Sequence, residues 1–336
     1  VSKKYKVVKI SRTVGSPNAL WQTEELAKVD AELVEVTDVN KDEMMKAIKD
    51  ADIILTGSAP RWMIEAAQKC VAIITGNVGF DAIDVAAATE NNIFVVNNPS
   101  FEWCVEEVSN HAITLLLACA KRIKMLDKMA CQGRWAEAKE AEKPMGSIYG
   151  QTLGIIGCGA IGRMVARKAR CFGMNVIGYD PYISQKYLIK ENGITQMRLG
   201  LTLKADYVSL HPDLNETSFH LIDKGAFDHM KPSAYLINTS RGRVVDEAEL
   251  IKALEEKRIA GAGLDVFENE PLSKDSPLTR MDNVICLPHT ASYSDYSFTL
   301  PPVVTVREAS RIFSGKLPLN AVNKSVKPRV QLVKGD

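Results

Sequence analysis

The sequence predicts an α/β protein made of doubly wound parallel sheets, and three observations carry that prediction. Short β-branched runs alternate with helix-like stretches along most of the chain, which is the pattern of βαβ units and a parallel sheet. Runs such as Ile53-Ile54-Leu55 and Val71-Ala72-Ile73-Ile74 are apolar throughout, as strands covered on both faces must be. The apolar run that starts at Thr152 breaks into Gly157-Cys158-Gly159-Ala160-Ile161-Gly162 and then opens a helix-like segment. At 336 residues the chain suits two domains of ordinary size.

In chain order, the first strands are expected at residues 5–10, 31–36, 51–57, 71–76 and 92–97. The turn Gly76-Asn77-Val78-Gly79-Phe80-Asp81 follows the fourth of them. An amide-rich loop at a strand's carboxyl end is where α/β folds place ligands, so it is a candidate substrate contact; it is equally readable as a plain turn. From Val105 a long helix runs towards Arg122 and Met125, apolar over more than one stripe, which suits burial between two bodies. A charged, poorly periodic stretch follows at 133–147, whose Trp135 either docks on a partner or folds back on its own chain. The second set of strands is expected at 152–156, 175–179, 205–211, 233–238, 261–266 and 283–287. A final helix at 305–313, preceded by Pro301-Pro302, is expected to return to the first domain.

The glycine turn reads as a dinucleotide site. Gly157 permits the tight strand-to-helix turn, Gly159 lets the backbone approach a pyrophosphate, and Gly162 lets the helix pack closely on the sheet. The amides of Ala160 and Ile161 belong to the helix N-terminus, where free N–H groups and the positive dipole end favour an anion. The next strand ends at Asp180, whose carboxylate can accept hydrogen bonds from the adenosine ribose and would repel a 2′-phosphate. The expected cofactor is NAD rather than NADP.

Composition narrows the remaining possibilities. A net charge of +1 gives no field to draw the chain to nucleic acid or to an anionic membrane. No apolar run approaches the roughly 18 residues of a bilayer span, so a cytoplasmic protein is expected. Seven scattered cysteines without a Cys-x-x-Cys pair read as reduced thiols, and no metal site is expected. Cys158, inside the glycine turn, reads as a small filler before it reads as a redox thiol.

The strands of the second set end in polar residues, which places His211, Thr239, Ser240, Arg241, Asp265 and His289 at the same carboxyl edge as the glycine turn. His211, Thr239 and Ser240 are expected against the cofactor. An arginine just past a strand offers a planar fork for a substrate carboxylate, which makes Arg241 the candidate clamp. A histidine can exchange a proton near neutrality, so His289 is the candidate acid–base group, with Glu270 orienting its imidazole.

These stretches resemble the D-isomer-specific 2-hydroxyacid dehydrogenases over nearly the whole chain. The likeness rests on 154–162 with Asp180, on 238–242, on Asp265-Val266-Phe267-Glu268-Asn269-Glu270-Pro271 and on Pro288-His289, with weaker echoes at 77–84 and 320–323. The resemblance implies a Rossmann NAD domain, residues 122–300, inserted in a flavodoxin-like substrate domain made of 1–121 and 301–336. It also implies an enzyme that interconverts a (R)-2-hydroxy acid and its 2-oxo acid, of the glyoxylate, hydroxypyruvate or 3-phosphoglycerate type. Arg241, Glu270 and His289 would be catalytic, Asp265 would lie near the nicotinamide carboxamide, and Asn77, Val78 and Gly79 would bind the substrate carboxylate. A homodimer through the NAD domain is implied as well.

The sequence departs from that family at two places. Cys158-Gly159-Ala160 lacks the basic residue many members carry, which leaves the pyrophosphate to amides, and the loop 99–104 is bulkier than expected. Glu270 argues against formate dehydrogenase activity, whose histidine pairs with glutamine. The chain ends soon after Asn323, so no appended regulatory module is expected. The alternative is an NAD-sensing, peptide-binding corepressor of the same fold, suggested by His211-Pro212-Asp213-Leu214-Asn215-Glu216.

Overall fold

In chain order, β1 (Tyr5–Ser11), α1 (Ala19–Ala27), β2 (Ala31–Thr37), α2 (Lys41–Lys49), β3 (Ile53–Leu55), α3 (Arg61–Ala66), β4 (Ala72–Ile74), α4 (Val85–Glu90) and β5 (Phe94–Val96) build the first sheet. The computed structural model describes residues 4–11, 19–98, 102–141 and 147–333, with side chains at all of these except 102–103, 189–192 and 296–300. The five strands are parallel in the order β2-β1-β3-β4-β5, the flavodoxin-like arrangement. β3, β4 and β5 are buried along their whole length, as their unbroken apolar runs require. Helix starts are fixed locally: Asn40 and Asp84 accept the amides of Glu43 and Ala87 at 3.2 and 2.8 Å, satisfying donors that α2 and α4 cannot use internally.

The second sheet follows α5 (Glu102–Ala120), α6 (Ile123–Cys131) and α7 (Trp135–Ala141). Its elements are β6 (Thr152–Ile156), α8 (Ala160–Cys171), β7 (Asn175–Tyr179), α9 (Gln185–Asn192), β8 (Thr195–Gln196), α10 (Leu199–Thr202) and β9 (Tyr207–Leu210). They continue with α11 (Lys224–His229), β10 (Tyr235–Asn238), α12 (Glu247–Glu255), β11 (Gly261–Leu264) and β12 (Val284–Cys286), and α13 (Asp295–Phe313) closes the helix series. The seven strands are parallel in the order β12-β11-β10-β9-β6-β7-β8. The order reverses between β6 and β9, and ligands of open α/β sheets bind at the carboxyl ends of such a switch point.

Contacts divide the chain into one compact unit of residues 1–101 with 294–336 and another of residues 102–293. The sequence placed those boundaries at 121 and 300. The difference arises because α5 belongs to the core of the second unit, where Leu115, Leu116 and Cys119 cluster with Leu153, Ile155 and Ile237. Gly263 on β11 makes room for it, since a Cβ there would press on Leu115 and Cys119. The helix expected to run on to Met125 stops at Ala120, because Arg122 adopts left-handed backbone (φ 49) and restarts the chain as α6. Trp135 stays 67% exposed on α7, so it does not fold back into its own chain.

The last helix also differs from expectation. α13 begins at Asp295 and carries Pro301 and Pro302 inside it, instead of starting after them. Pro301 packs against Gly76 so closely that a Cβ on that glycine would overlap it. Beyond α13 the chain returns to the first sheet: Val322 N donates to Val95 O at 2.8 Å, and the buried Asn323 accepts from Val95 N at 2.8 Å and donates to Ile93 O at 3.0 Å. The amide of Asn323 thereby imitates a further strand along β5.

Candidate active site

At the carboxyl end of β6 the glycine turn is shaped by close backbone approach. Gly157 has φ 86, and a Cβ there would overlap the carbonyl of His211 and the nitrogen of Pro212, which open the turn after β9. Gly162 packs on the carbonyl of Gly157 with no room for a side chain, whereas around Gly159 nothing lies within 4 Å of where a Cβ would be. Gly159 is the N-cap of α8 and offers no capping side chain, so the first-turn amides are a site for an anion. Cys158 is buried with its thiol pushed up to about 12 by desolvation, and a Cβ on Gly178 would collide with its Sγ. It is the small filler of the turn.

Asp180 is buried and already engaged. Its Oδ2 accepts Cys158 N at 2.8 Å, and its Oδ1 accepts Tyr182 N at 2.8 Å and Ile183 N at 3.2 Å. A carboxylate has roughly four acceptor directions, so the residue that the sequence assigns to the ribose also ties the glycine turn to the following loop. Sequence reading missed Arg163, which directly follows Gly162. Its Nη1 donates to Cys158 O at 2.8 Å and its guanidinium lies 5.3 Å from the Tyr187 ring centre, so a cation does stand at this turn.

Two neighbouring strand ends carry buried polar atoms without partners. His211 accepts or donates at Nε2 with Ser209 Oγ (2.9 Å), and its Nδ1 is out of solvent with no hydrogen bond although the residue as a whole is only half-buried. Desolvation pushes this imidazole down to about 3, so it is neutral at physiological pH. Thr239 is buried with Oγ1 unpartnered, while Ser240 is tied to Asn238 Oδ1 through both its amide (3.0 Å) and its hydroxyl (2.8 Å). Buried polar groups are nearly always paired, so a polar ligand beside the glycine turn would satisfy what the protein leaves open. The residues present fit a dinucleotide.

The remaining candidates follow three adjacent strands. Asn238, Leu264 and Cys286 lie side by side at the ends of β10, β11 and β12, with neighbouring strands about 4.8 Å apart. After β10, Asn238 Nδ2 donates to Arg241 O at 3.0 Å and fixes the turn that carries the guanidinium. After β11, Asp265 is fully buried. It was expected near the nicotinamide, yet its two oxygens accept Thr290 N (2.9 Å) and Ala291 N (2.7 Å), and its carbonyl accepts His289 N (2.8 Å). Asp265 therefore holds the loop that bears His289. Burial pushes its carboxyl up, but the His111 ring 3.5 Å away and the two amides outweigh this, and the group ends below the ordinary carboxylate range. His111, a lone histidine midway along α5, was not singled out by the sequence.

His289 has left-handed backbone (φ 54), and its Nδ1 meets Glu270 Oε2 at 2.7 Å. The other oxygen of Glu270 accepts Phe267 N at 3.0 Å. The pair is open to solvent, with 49% of the histidine side chain exposed, so a ligand can reach the free Nε2 edge of the ring. In the first unit, the loop after β4 is clasped by polar side chains. Thr75 Oγ1 accepts Asn77 N (3.1 Å), Asn97 Nδ2 donates to Val78 O (2.8 Å), and Asn98 N donates to Asn77 O (3.1 Å). The Asn98 side chain is fully buried, and both its amide atoms lack a partner. Half of the bulky loop that the sequence noted, residues 99–101, lies outside the described residues, as do the side chains of Glu102 and Trp103.

A dinucleotide turn at a sheet switch point, with a histidine–carboxylate pair on the same sheet edge, defines an oxidoreductase that works with a nicotinamide cofactor. Residues 113–291 match the model of the D-isomer specific 2-hydroxyacid dehydrogenase NAD binding domain. The chain is 39% identical over 292 residues to a glyoxylate reductase of Korarchaeum cryptofilum, covering 85% of this chain and 87% of that one. It is 36% identical to a D-3-phosphoglycerate dehydrogenase of Methanocaldococcus jannaschii, covering 93% of this chain and 60% of that one. Among solved structures, it is similar to an NADPH-dependent glyoxylate/hydroxypyruvate reductase of Sinorhizobium meliloti, with a TM-score of 0.83, 28% identity and coverage of 98% and 99%. A D-lactate dehydrogenase of Aquifex aeolicus, solved with NAD and lactic acid, gives a TM-score of 0.81 at 29% identity, covering 92% and 96%.

The chain belongs to the D-isomer specific 2-hydroxyacid dehydrogenases. It is an NAD-dependent oxidoreductase that interconverts a 2-hydroxy acid and its 2-oxo acid. None of these relatives supports the corepressor alternative. Among the described residues, no helix is long and apolar enough to cross a membrane.

Proposed function

We propose that the chain reduces a small, unphosphorylated 2-oxo acid of the glyoxylate and hydroxypyruvate type to the (R)-2-hydroxy acid. The contact between His289 Nδ1 and Glu270 Oε2 at 2.7 Å carries this reading. With Nδ1–H held by the carboxylate, Nε2 is the ring nitrogen that exchanges a proton with the substrate, and Glu270 stabilises the imidazolium that donates it. Held at the turn from Gly157 to Gly162, the nicotinamide cofactor would supply the hydride for C2 of the oxo acid. As the carbonyl oxygen gains charge, His289 gives it a proton; in the oxidation direction the neutral ring takes that proton back. Arg241 grips the substrate carboxylate, and the backbone at Asn77, Val78 and Gly79 is assigned to substrate binding.

The cofactor is bound by the turn from Gly157 to Gly162, by Asp180 at the ribose, and by His211, Thr239 and Ser240. Residues 102–293 form the nucleotide domain and the outer stretches form the substrate domain. Asp265 serves both the cofactor side and the His289 loop. The preference for an unphosphorylated acid follows the relatives, of which the glyoxylate reductase is 39% identical and the phosphoglycerate dehydrogenase 36%. Trp135, left exposed on α7, is assigned to a homodimer contact, and the protein to the cytoplasm. Steady-state turnover with NADH and a panel of glyoxylate, hydroxypyruvate, pyruvate and 3-phosphohydroxypyruvate tests the proposal. The first two are expected to give the highest kcat/KM; a preference for the phosphorylated acid would overturn it.

A further inference from the structure

Below the turn of Arg241 and the loop of Glu270 stands a histidine that neither the sequence motifs nor the chemistry above uses. His220 joins the two. Its amide donates to Arg243 O at 2.9 Å, while Ile222 N donates to Val244 O and Asp246 N to Ile222 O, both at 3.0 Å. The segment 220–222 therefore runs beside the chain that leaves Arg241. On the other side, the His220 Nε2 meets Glu268 Oε1 at 2.6 Å. That same oxygen accepts Glu247 N at 3.3 Å, and Glu268 N donates to Glu247 Oε2 at 3.1 Å, so the loop of Glu270 is laced to the start of α12.

We propose that His220 is a positioning residue which, through Glu268, fixes the loop bearing Glu270 against the turn bearing Arg241. The proposal rests on the catalytic reading of Glu270 and Arg241. Four features support it. His220 holds left-handed backbone (φ 48), which is strained for a residue other than glycine and persists only where the surroundings demand it. Gly242 touches Phe267 and Glu268 backbone to backbone, so a shift of the loop is transmitted directly to the turn. Two carboxylates, Asp246 and Glu268, flank the ring, and Glu247 lies against Glu268. The Glu247 carboxyl is pushed up by burial and by Glu268, so removing the imidazole leaves like charges facing one another without a counter-group. Phe219 stacks on the ring at 4.0 Å between centres and holds its plane.

The test separates ring from backbone. His220→Gly relaxes the left-handed residue and keeps its amide, but removes the imidazole. It is expected to lower kcat for oxo acid reduction by roughly ten- to hundredfold, as a displaced catalytic loop does. KM should stay within about threefold, and NADH affinity by fluorescence titration should be unchanged. Glu268→Gln keeps an acceptor for the ring and for Glu247 N, and should retain most of the activity. Hydrogen exchange of residues 266–270 should quicken in His220→Gly while β9 to β11 stay protected, and this readout is independent of turnover. Adding His220→Gly to Glu270→Gln should cost nothing further if both act through the same loop. Wild-type exchange in 266–270, or losses that multiply in the double variant, would overturn the assignment. Wild-type turnover in Glu270→Gln alone would overturn the catalytic reading instead, while quickened exchange in His220→Gly would still support the tie to the loop.

Discussion

The two sheet edges of this protein solve the same architectural problem with different chemistry. The edge of the first unit, after β4, is a loop of Asn77, Val78 and Gly79 held by Thr75, Asn97 and Asn98, and it presents fixed backbone dipoles. The edge of the second unit gathers the charged and titrating groups: Arg241, Asp265, Glu270 and His289, all just beyond three adjacent strands. On the proposed reading, fixed dipoles recognise a carboxylate without taking or giving protons, whereas the second edge changes protonation in each turnover. A neutral edge can therefore be built by ordinary loop residues. A reactive edge needs particular side chains, each with a support behind it, such as Asp265 behind the His289 loop.

Changes at five residues would break or sharpen this contrast. The largest effect is expected from His289→Ala, which should depress both reaction directions by about 10²- to 10⁴-fold while NADH binding changes little. Near-normal turnover would move the chemistry away from this edge. Next, Arg241→Ala should raise the KM for the oxo acid by roughly ten- to hundredfold. Arg241→Lys should recover only part of the loss, because a point charge cannot make the paired contact. By contrast, Asn97→Ala in the neutral edge should raise the same KM only a few-fold through a loosened Val78, with kcat intact; a collapse of kcat would mean that the first edge does more than recognise.

Asp180→Ala should weaken NADH more than NADPH in fluorescence titrations. Both will suffer from the loss of the bond to Cys158 N, so only the difference between them reports on the ribose, and equal losses would remove Asp180 from that role. The smallest expected effect concerns His211. Its imidazole lies at about 3 in the folded chain against an ordinary 6.5, so between those values the unfolded chain binds a proton that the folded one refuses. Stability contributed by this neutral ring is lost as pH falls from about 6.5 towards 3. His211→Gln should accordingly shift the acid-unfolding midpoint, followed by circular dichroism, to lower pH. An unmoved midpoint would show that the ring is not held neutral by burial.

Much of the reactive edge was legible because its requirements are local. Gly157 must turn, Gly162 must pack, and Arg241 and His289 stand directly after apolar strands, so short windows of sequence sufficed. His111, Asn97, Asn98 and His220 were invisible for the opposite reason. Each is a single polar residue outside any motif, and where the side chain has a partner it is far along the chain, as with His220 and Glu268 or His111 and Asp265. The unit boundary was misplaced because a helix apolar on more than one stripe, α5, suits either neighbour, and only the fit of Leu115 and Cys119 against Gly263 assigns it. α13 was shortened in prospect because paired prolines usually open a helix, and here they lie within one.

The return of residues 320–323 to β5 has a consequence for synthesis on the ribosome. The second unit is one continuous stretch, 102–293, and its strands have all been made before Asn323 is added. Domains fold as units when their last element emerges, so the nucleotide-binding body is expected to mature first, although it begins second. Until Asn323 arrives to occupy the amide of Val95 and the carbonyl of Ile93, β5 is a bare apolar edge on the older half of the nascent chain. That interval, while the central unit is being translated, is when a chaperone has most to protect, and slowing translation across it would lengthen the exposure of the half that was made first.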